Sequence, residues 1–122
     1  MSNLIDYGFF TVLLAFTGTQ ENLIKELAPA IVSEAAANNL EPELVAAVIQ
    51  VESSWYPKAE SSAGACGLMQ VIPKWNPKPD GTLYTCDELK DPKTNIKVGT
   101  KALRWWMTQA KGDRELALCA GS

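Results

Sequence analysis

Residues 52–70 read ESSWYPKAESSAGACGLMQ, a stretch that begins with a glutamate and ends with Gly-Leu-Met-Gln. Its first residue, Glu52, ends an apolar segment in which Leu44, Val48 and Glu52 are spaced four apart. That spacing places the three side chains along one side of a helix. We therefore predict a helix over residues 42–53, with a glutamate in its last turn.

The rest of the chain also favours helices, because no alternating strand pattern of useful length occurs. Pro29 predicts a break in the preceding helical segment, since proline disrupts a helix interior. The predicted elements are a short helix that ends before Ala28, a helix over 29–38, the helix over 42–53, a loop over 54–66, a short apolar helix over 67–72, an irregular loop over 76–87, a helix from Asp91 to Ala110 and a last helix from Asp113. The fold class is all-α, with at most a small hairpin near 76–87.

The chain has 122 residues, a net charge of −3 and 47% hydrophobic residues, which fits one globular domain. The acidic balance argues against a nucleic-acid partner. We divide the chain into an apolar N-terminal segment, 1–20, and a domain over 21–122. The run from Gly8 to Phe16 is shorter than the ~20 residues of a transmembrane helix. No basic residue precedes it, so we expect a buried or partner-covered segment rather than a signal peptide.

The sequence contains no histidine, which excludes Ser-His and Cys-His catalytic pairs and histidine-ligated metals. Its three cysteines are Cys66, Cys86 and Cys119. They allow at most one disulfide within the chain, whose pairing the sequence leaves open. We predict no metal site and no cofactor, and no catalytic part for the cysteines.

Glu52 is the candidate catalytic residue. A carboxyl group at the end of an apolar ridge, beside Trp55, should be partly desolvated, which raises its pKa and keeps a proton available for general acid catalysis. The alternative is an ordinary solvated glutamate near a helix end.

The Glu-Ser and Gly-Leu-Met-Gln blocks together resemble the soluble-lytic-transglycosylase family, whose catalytic domain is lysozyme-like. The family pattern is a catalytic Glu followed by Ser, Pro, Ser and Gly-Ala-x-Gly-Leu-Met-Gln, and the Glu-to-Gln spacing here is the same 18 positions. Asn95-Ile96, with Gly99 and Leu103 after it, is similar to the Asn-Ile-x-x-Gly helix of that family. The resemblance covers about three quarters of the chain and implies a lysozyme-like helical domain with a substrate cleft.

The resemblance implies a role for each matching residue. Glu52 would be the single acid/base that cleaves the β-1,4 bond between N-acetylmuramic acid and N-acetylglucosamine in peptidoglycan and leaves a 1,6-anhydro product. Ser61 would position the muramyl group, and the alternative for Ser61 is a helix or turn cap. Met69 and Gln70 would line the cleft, with Gln70 hydrogen-bonded to sugar.

The sequence departs from the family pattern at its last motif, Ala-x-Ala-Tyr-Asn-x-Gly. Residues 117–120 (Ala-Leu-Cys-Ala) resemble its start, with Ala120 directly before the Tyr position, but Gly121 and Ser122 occupy the positions of Tyr and Asn. We expect a truncated last helix and a short cleft wall. Two explanations stay open: a short variant or fragment whose remaining part lies elsewhere, or an incomplete cleft with low activity.

Two other functions stay open: a hydrolysing muramidase, and a non-catalytic structural or glycan-binding protein of a virion or secretion machine. The apolar run from Gly8 to Phe16 and the C-terminal helix suggest surfaces completed by a larger assembly or partner chain. We expect action in the bacterial periplasm or cell wall, with virion association or export by an assembly favoured over a cleaved signal. On the helix from Asp91, we expect Ile96, Gly99, Leu103 and Trp106 to face the core, and Trp105 to be partly exposed.

Overall fold

The computed structural model describes residues 20–109. Its helices are α1 (Glu21–Ala37), α2 (Pro42–Ser53), α3 (Cys86–Leu89) and α4 (Pro92–Gln109), with a 3₁₀ turn at Pro73–Trp75. Over this described range there is no strand, only two isolated antiparallel bridges. The all-α prediction is therefore confirmed. The run from Gly8 to Phe16, the helix from Asp113 and the motif at 117–122 lie outside the described residues.

The core forms where α1 packs against both α2 and α4. Each fully buried aliphatic side chain contributes about 1.5–3 kcal/mol to this packing. The buried core side chains are Ile24, Leu27, Ile31 and Ala35 of α1, Val45, Ala46 and Ile49 of α2, Ile96 and Val98 of α4, Leu89 of α3, and Trp55, Cys66, Leu68, Met69 and Val71 of the segment between α2 and α3.

The predicted break at Pro29 is wrong, because α1 continues through it. Pro29 lies on the exposed side of α1, where its ring does not interrupt the buried row. The missing N–H costs one hydrogen bond, to the carbonyl of Lys25, which water can replace at an exposed site. The apolar side chains on both sides of Pro29 are buried in one core, and this burial holds the helix together.

α2 has the predicted bounds, but its buried face is one residue away from the predicted row. Val45 and Ile49 are fully buried, whereas Val51 is 77% exposed. Leu44 and Val48 lie half-buried at the edge of the contact. Neighbouring rows of α2 are both apolar, so spacing alone could not decide which of them faces α1.

The predicted helix over 67–72 is wrong: residues 67–70 form a turn. Cys66 and Val71 exchange two backbone hydrogen bonds, of 2.9 and 3.0 Å, across this turn. Gly67 and Gln70 have φ values of +81° and +53°, which lie outside the right-handed helical region. Gly67 therefore begins a turn in a segment whose apolar composition had predicted a helix.

The 76–87 segment differs from the predicted loop at its end, where α3 begins. Thr85 and Glu88 form a capping box: the Glu88 N–H donates to the Thr85 hydroxyl oxygen at 3.0 Å, and the Thr85 N–H donates to the Glu88 carboxylate at 2.9 Å. The predicted possibility of a hairpin in this segment is not realised among the described residues, and the two bridges join Cys66 to Glu60 and Val71 instead.

α4 begins as predicted, with Asp91 as its cap: the Asp91 carboxylate accepts from the N–H of Thr94 at 3.0 Å. Ile96 and Gly99 are buried as predicted, but Trp105 and Trp106 are 55% and 43% exposed and meet edge to face. The prediction that one of these tryptophans is in the core is wrong, because the buried residues of α4 end at Thr100. Among residues 20–109, no helix is both long and apolar enough to cross a membrane.

Candidate active site

Glu52 is half-buried in the last turn of α2. Burial raises the pKa of its carboxyl group. The C-terminal end of a helix carries partial negative charge, which disfavours a carboxylate and acts in the same direction. The group therefore holds its proton to a higher pH than an ordinary glutamate.

The chain leaves α2 abruptly after Glu52. Ser54 and Trp55 have φ values of +49° and +65°, a left-handed conformation that costs a non-glycine residue about 1 kcal/mol or more. Trp55 compensates for this cost because its side chain is fully buried and its indole N–H donates to Oε1 of Gln50 at 3.0 Å. The buried indole thus fixes the end of the helix that carries the Glu52 carboxyl group.

Ser61 organises the turn that follows. Its hydroxyl oxygen accepts from the N–H of Ala65 at 3.1 Å, and its own N–H donates to the Ala65 carbonyl at 2.9 Å. The structure therefore gives Ser61 the turn-capping role that the sequence left as an alternative. The hydroxyl proton makes no bond within the described part of the chain and can still donate to a ligand.

Met69 and Gln70 end the Gly-Leu-Met-Gln turn and differ in accessibility. Met69 is 7% exposed, so most of its side chain belongs to the core. Gln70 is half-buried, and its amide nitrogen donates to the carbonyls of Ala59 at 3.1 Å and Gly67 at 2.9 Å. These two bonds fix the Gln70 side chain and leave its amide oxygen to accept a hydrogen bond.

Asn95 of α4 holds this turn in place. Its side-chain oxygen accepts from the N–H of Met69 at 2.7 Å, and its nitrogen donates to the carbonyls of Cys66 and Leu89, both at 2.8 Å. Asn95 is fully buried, and all three bonds join separate segments. The sequence motif included Asn95 but did not predict that its side chain bridges three segments. The signal that could have indicated this role is an amide side chain next to Ile96, on the buried side of a helix.

Two glycines allow the same turn to approach α4 closely. A Cβ on Gly99 would lie 2.5 Å from Sδ of Met69, and one on Gly67 would overlap Asn95 and the Leu89 carbonyl. Any larger residue at either position must displace the turn. The turn that carries Met69 and Gln70 is therefore packed tightly against the buried side of α4.

The family assignment follows from residues 29–120, which match the transglycosylase SLT domain. The chain belongs to this family. A "Transglycosylase" of Enterobacteria phage PRD1 is 42% identical over 69 residues, which cover 57% of this chain and 24% of the phage protein. The "Soluble lytic murein transglycosylase" of Salmonella typhimurium is 36% identical over 81 residues, or 61% of this chain and 12% of that protein.

A third relative, the "Membrane-bound lytic murein transglycosylase E" of Buchnera aphidicola, is 34% identical over 89 residues, or 66% of this chain and 39% of that protein. The chain thus spans between about one eighth and two fifths of the length of these relatives. The crystal structure of the lytic transglycosylase Slt from Pseudomonas aeruginosa matches with a TM-score of 0.69 and 31% identity, over 77% of this chain and 16% of that one. That structure is of an inactive variant in which a glutamate is replaced by glutamine.

The carboxylates of Glu60 and Asp87 both lie near Lys90 rather than forming a pair with Glu52. Glu60 lies 3.2 Å from the ammonium group of Lys90, and Asp87 lies 3.8 Å from the same group. Both carboxylates are more than half exposed. Within residues 20–109, no three acidic or cysteine side chains converge in an arrangement that could hold a metal ion.

Proposed function

We propose that this protein is a lytic transglycosylase that cleaves the β-1,4 bond between N-acetylmuramic acid and N-acetylglucosamine in peptidoglycan, with Glu52 as the single acid/base. The observation that carries the proposal is the half-buried Glu52 carboxyl group, whose pKa is raised by burial. Family membership and the three transglycosylase relatives support the substrate and reaction class.

Glu52 would act twice in this mechanism. A carboxyl group whose raised pKa lets it keep its proton to a higher pH can protonate the glycosidic oxygen as the bond to the leaving sugar breaks. The substrate's own N-acetyl group would stabilise the positive charge at the muramyl C1. The Glu52 carboxylate then takes the proton of the muramyl C6 hydroxyl, whose oxygen closes onto C1 to give the 1,6-anhydro sugar.

The Ser61 hydroxyl and the Gln70 amide oxygen would orient the glycan. Both side chains are half-buried and already fixed by backbone hydrogen bonds, so little conformational entropy is lost when they bind sugar. Met69 would line the cleft with the small part of its surface that is exposed. These assignments rest on the family pattern together with the rigidity of the two turns.

The test is digestion of purified sacculi by the parent and a Glu52→Gln variant, followed by mass spectrometry of the released muropeptides. We expect 1,6-anhydro products from the parent and a loss of about 10²–10⁴-fold or more in the variant. Glu60→Gln is the matched control, because it removes an exposed carboxylate eight residues away and should retain the parental rate.

Three results would contradict the proposal. Products with reducing ends would identify a hydrolysing muramidase. Glycan binding without cleavage by the parent would identify a non-catalytic binding protein. Digestion by Glu52→Gln at the parental rate would remove Glu52 from the mechanism.

We also propose that the protein acts in the periplasm or cell wall and is delivered there by a virion or another assembly, which the phage relative supports. Expression in a Gram-negative host, with and without an added secretion signal, tests the compartment. Lysis is expected only when the protein is exported, and lysis from the cytoplasm without the signal would contradict the dependence on delivery.

A further inference from the structure

The outer face of α4 carries four basic side chains: Lys93, Lys97, Lys101 and Arg104. They follow one another at intervals of four, four and three residues, so they share one side of the helix. All four are exposed, and α4 contains no acidic residue. We refer to these four side chains as the cationic face.

The cationic face is unusual in a protein with a net charge of −3. Residues 20–53 contain six glutamates and a single lysine, so positive charge is concentrated elsewhere. The ion pairs of the described residues involve Lys25, Lys78 and Lys90 and none of the four basic side chains of the cationic face.

The surroundings of the cationic face differ along its length. Lys93 and Lys97 line a groove of about 610 Å³ between α1 and α4, together with Glu26 and Glu34. Lys101 and Arg104 lie outside that groove. The exposed indole of Trp105 follows Arg104 directly and lies four residues after Lys101, so it adjoins the half of the cationic face that lies outside the groove.

We propose that the cationic face binds the free carboxylates of peptidoglycan stem peptides and so holds the polymer while Glu52 acts on the glycan. The inference rests on the proposed function, since it concerns a second contact with the same substrate. Charge complementarity is its basis. A helix rises 1.5 Å per residue, so the face extends about 16 Å from Lys93 to Arg104.

Two other anionic partners fit the structure less well. An amphipathic helix binds a lipid surface by inserting a whole apolar side. In α4, Ile96 and Val98 are buried in the core, and the large apolar side chains that remain exposed are Trp105 and Trp106 at its end, which do not form such a side. A nucleic acid would meet a protein of acidic overall charge. Peptidoglycan carries repeated carboxylates and sugar rings, which the basic side chains and Trp105 can contact together. Single exposed charge contacts are weak, but several on one polymer add to its retention.

The test measures binding without cleavage, by cosedimentation of the Glu52→Gln protein with intact sacculi. In that background, Lys101→Glu should weaken binding about fivefold at low ionic strength, and the difference should shrink with added salt. Lys25→Glu is the matched control, because it makes the same charge change at an exposed lysine of α1 and should bind like its parent. To sacculi whose stem-peptide carboxylates have been amidated, Lys101→Glu and its parent should bind equally.

Equal binding of Lys101→Glu and its parent to untreated sacculi, with circular dichroism showing a folded variant, would overturn the inference. So would tighter binding to vesicles of anionic phospholipid than to sacculi, or an equal loss in the Lys25→Glu control. Parental cleavage is assayed separately. If the parent cleaves sacculi but Lys101→Glu does not change binding, only this inference is overturned. If binding depends on the carboxylates but the parent does not cleave, the proposed function is overturned and the cationic face remains a peptidoglycan contact.

Discussion

Glu52 illustrates how the position of a residue on a helix can raise the pKa of its side chain. Its pKa is raised by burial, and the helix end and the buried Trp55 keep the carboxyl group in that position. The sequence predicted the raised pKa because Leu44, Val48 and Glu52 share one side of α2. It did not predict the left-handed Ser54 and Trp55, because neither residue type indicates a positive φ.

The raised pKa of Glu52 has a consequence for stability. Between its ordinary value of 4.5 and the raised value, the folded protein keeps a proton that the unfolded chain has released. The free energy of unfolding therefore falls as pH rises through this window, and stays lowered above it. Glu52→Gln lacks this loss, so the variant should gain stability relative to the parent from pH 4 to pH 7, by urea denaturation at each pH. An equal difference at both pH values would contradict the raised pKa.

Asn95 provides a second prediction for a single side chain. Asn95→Asp keeps the acceptor for the Met69 N–H but loses the donor for the carbonyls of Cys66 and Leu89. Two buried acceptors and a buried charge should lower the free energy of unfolding by about 3 kcal/mol at neutral pH. Asn76→Asp is the control. Its single half-buried bond to the Ile72 carbonyl should cost about 1 kcal/mol or less. Equal losses in the two variants, measured by urea denaturation, would show that Asn95 has no special role.

At the level of elements, local signals predicted helix ends better than helix interiors. The bounds of α2 and the Asp91 cap of α4 follow from proline at the first helical position and a side chain that caps the N-terminus. The continuity of α1 across Pro29 could not be predicted, because it depends on tertiary burial of the apolar row on its inner side. The turn at 67–70 was missed for a related reason: apolar composition does not reveal the positive φ of Gly67 and Gln70.

α1 therefore contains a removable defect. Pro29→Ala restores a hydrogen bond to the Lys25 carbonyl and relieves the steric conflict of a proline in a helix interior. The free energy of unfolding should rise by up to about 3 kcal/mol, less the entropy that the unfolded chain gains. Ser33→Ala, another exposed site of α1, should change it by only a few tenths of a kcal/mol. Urea midpoints measure both, and an unchanged or lower midpoint for Pro29→Ala would show that α1 accommodates proline without cost.

For the molecule as a whole, the disulfide between Cys66 and Cys86 connects the turn before Gln70 to α3. Three cysteines allow three pairings, so composition could not identify this one. Their Cα atoms lie 5.6 Å apart, and Cys66 is buried beside the Asn95 hydrogen bonds. The connection matters because α3 has four residues, too few to form a stable helix without tertiary contacts.

Reduction of this disulfide should lower the free energy of unfolding by about 3 kcal/mol, as expected for a closed loop of about 20 residues. Cys119→Ser is the background for the measurement, so that the pair of Cys66 and Cys86 is the only one present. Urea denaturation with and without a dithiol reductant gives the difference. Cys86→Ser in the same background should match the reduced protein and show no response to reductant. A response in that variant would point to an effect of the reductant other than disulfide cleavage.

The contact of Gly99 with Met69 also limits how this protein can evolve. A methyl group gained at position 99 meets the Met69 side chain at once, so that step is harmful unless position 69 has already become smaller. The reverse step, a smaller side chain at 69 while glycine remains at 99, leaves a cavity. The two positions should therefore change together in descendants of this sequence, and a library randomised at both codons should return compensating pairs more often than independent changes would give.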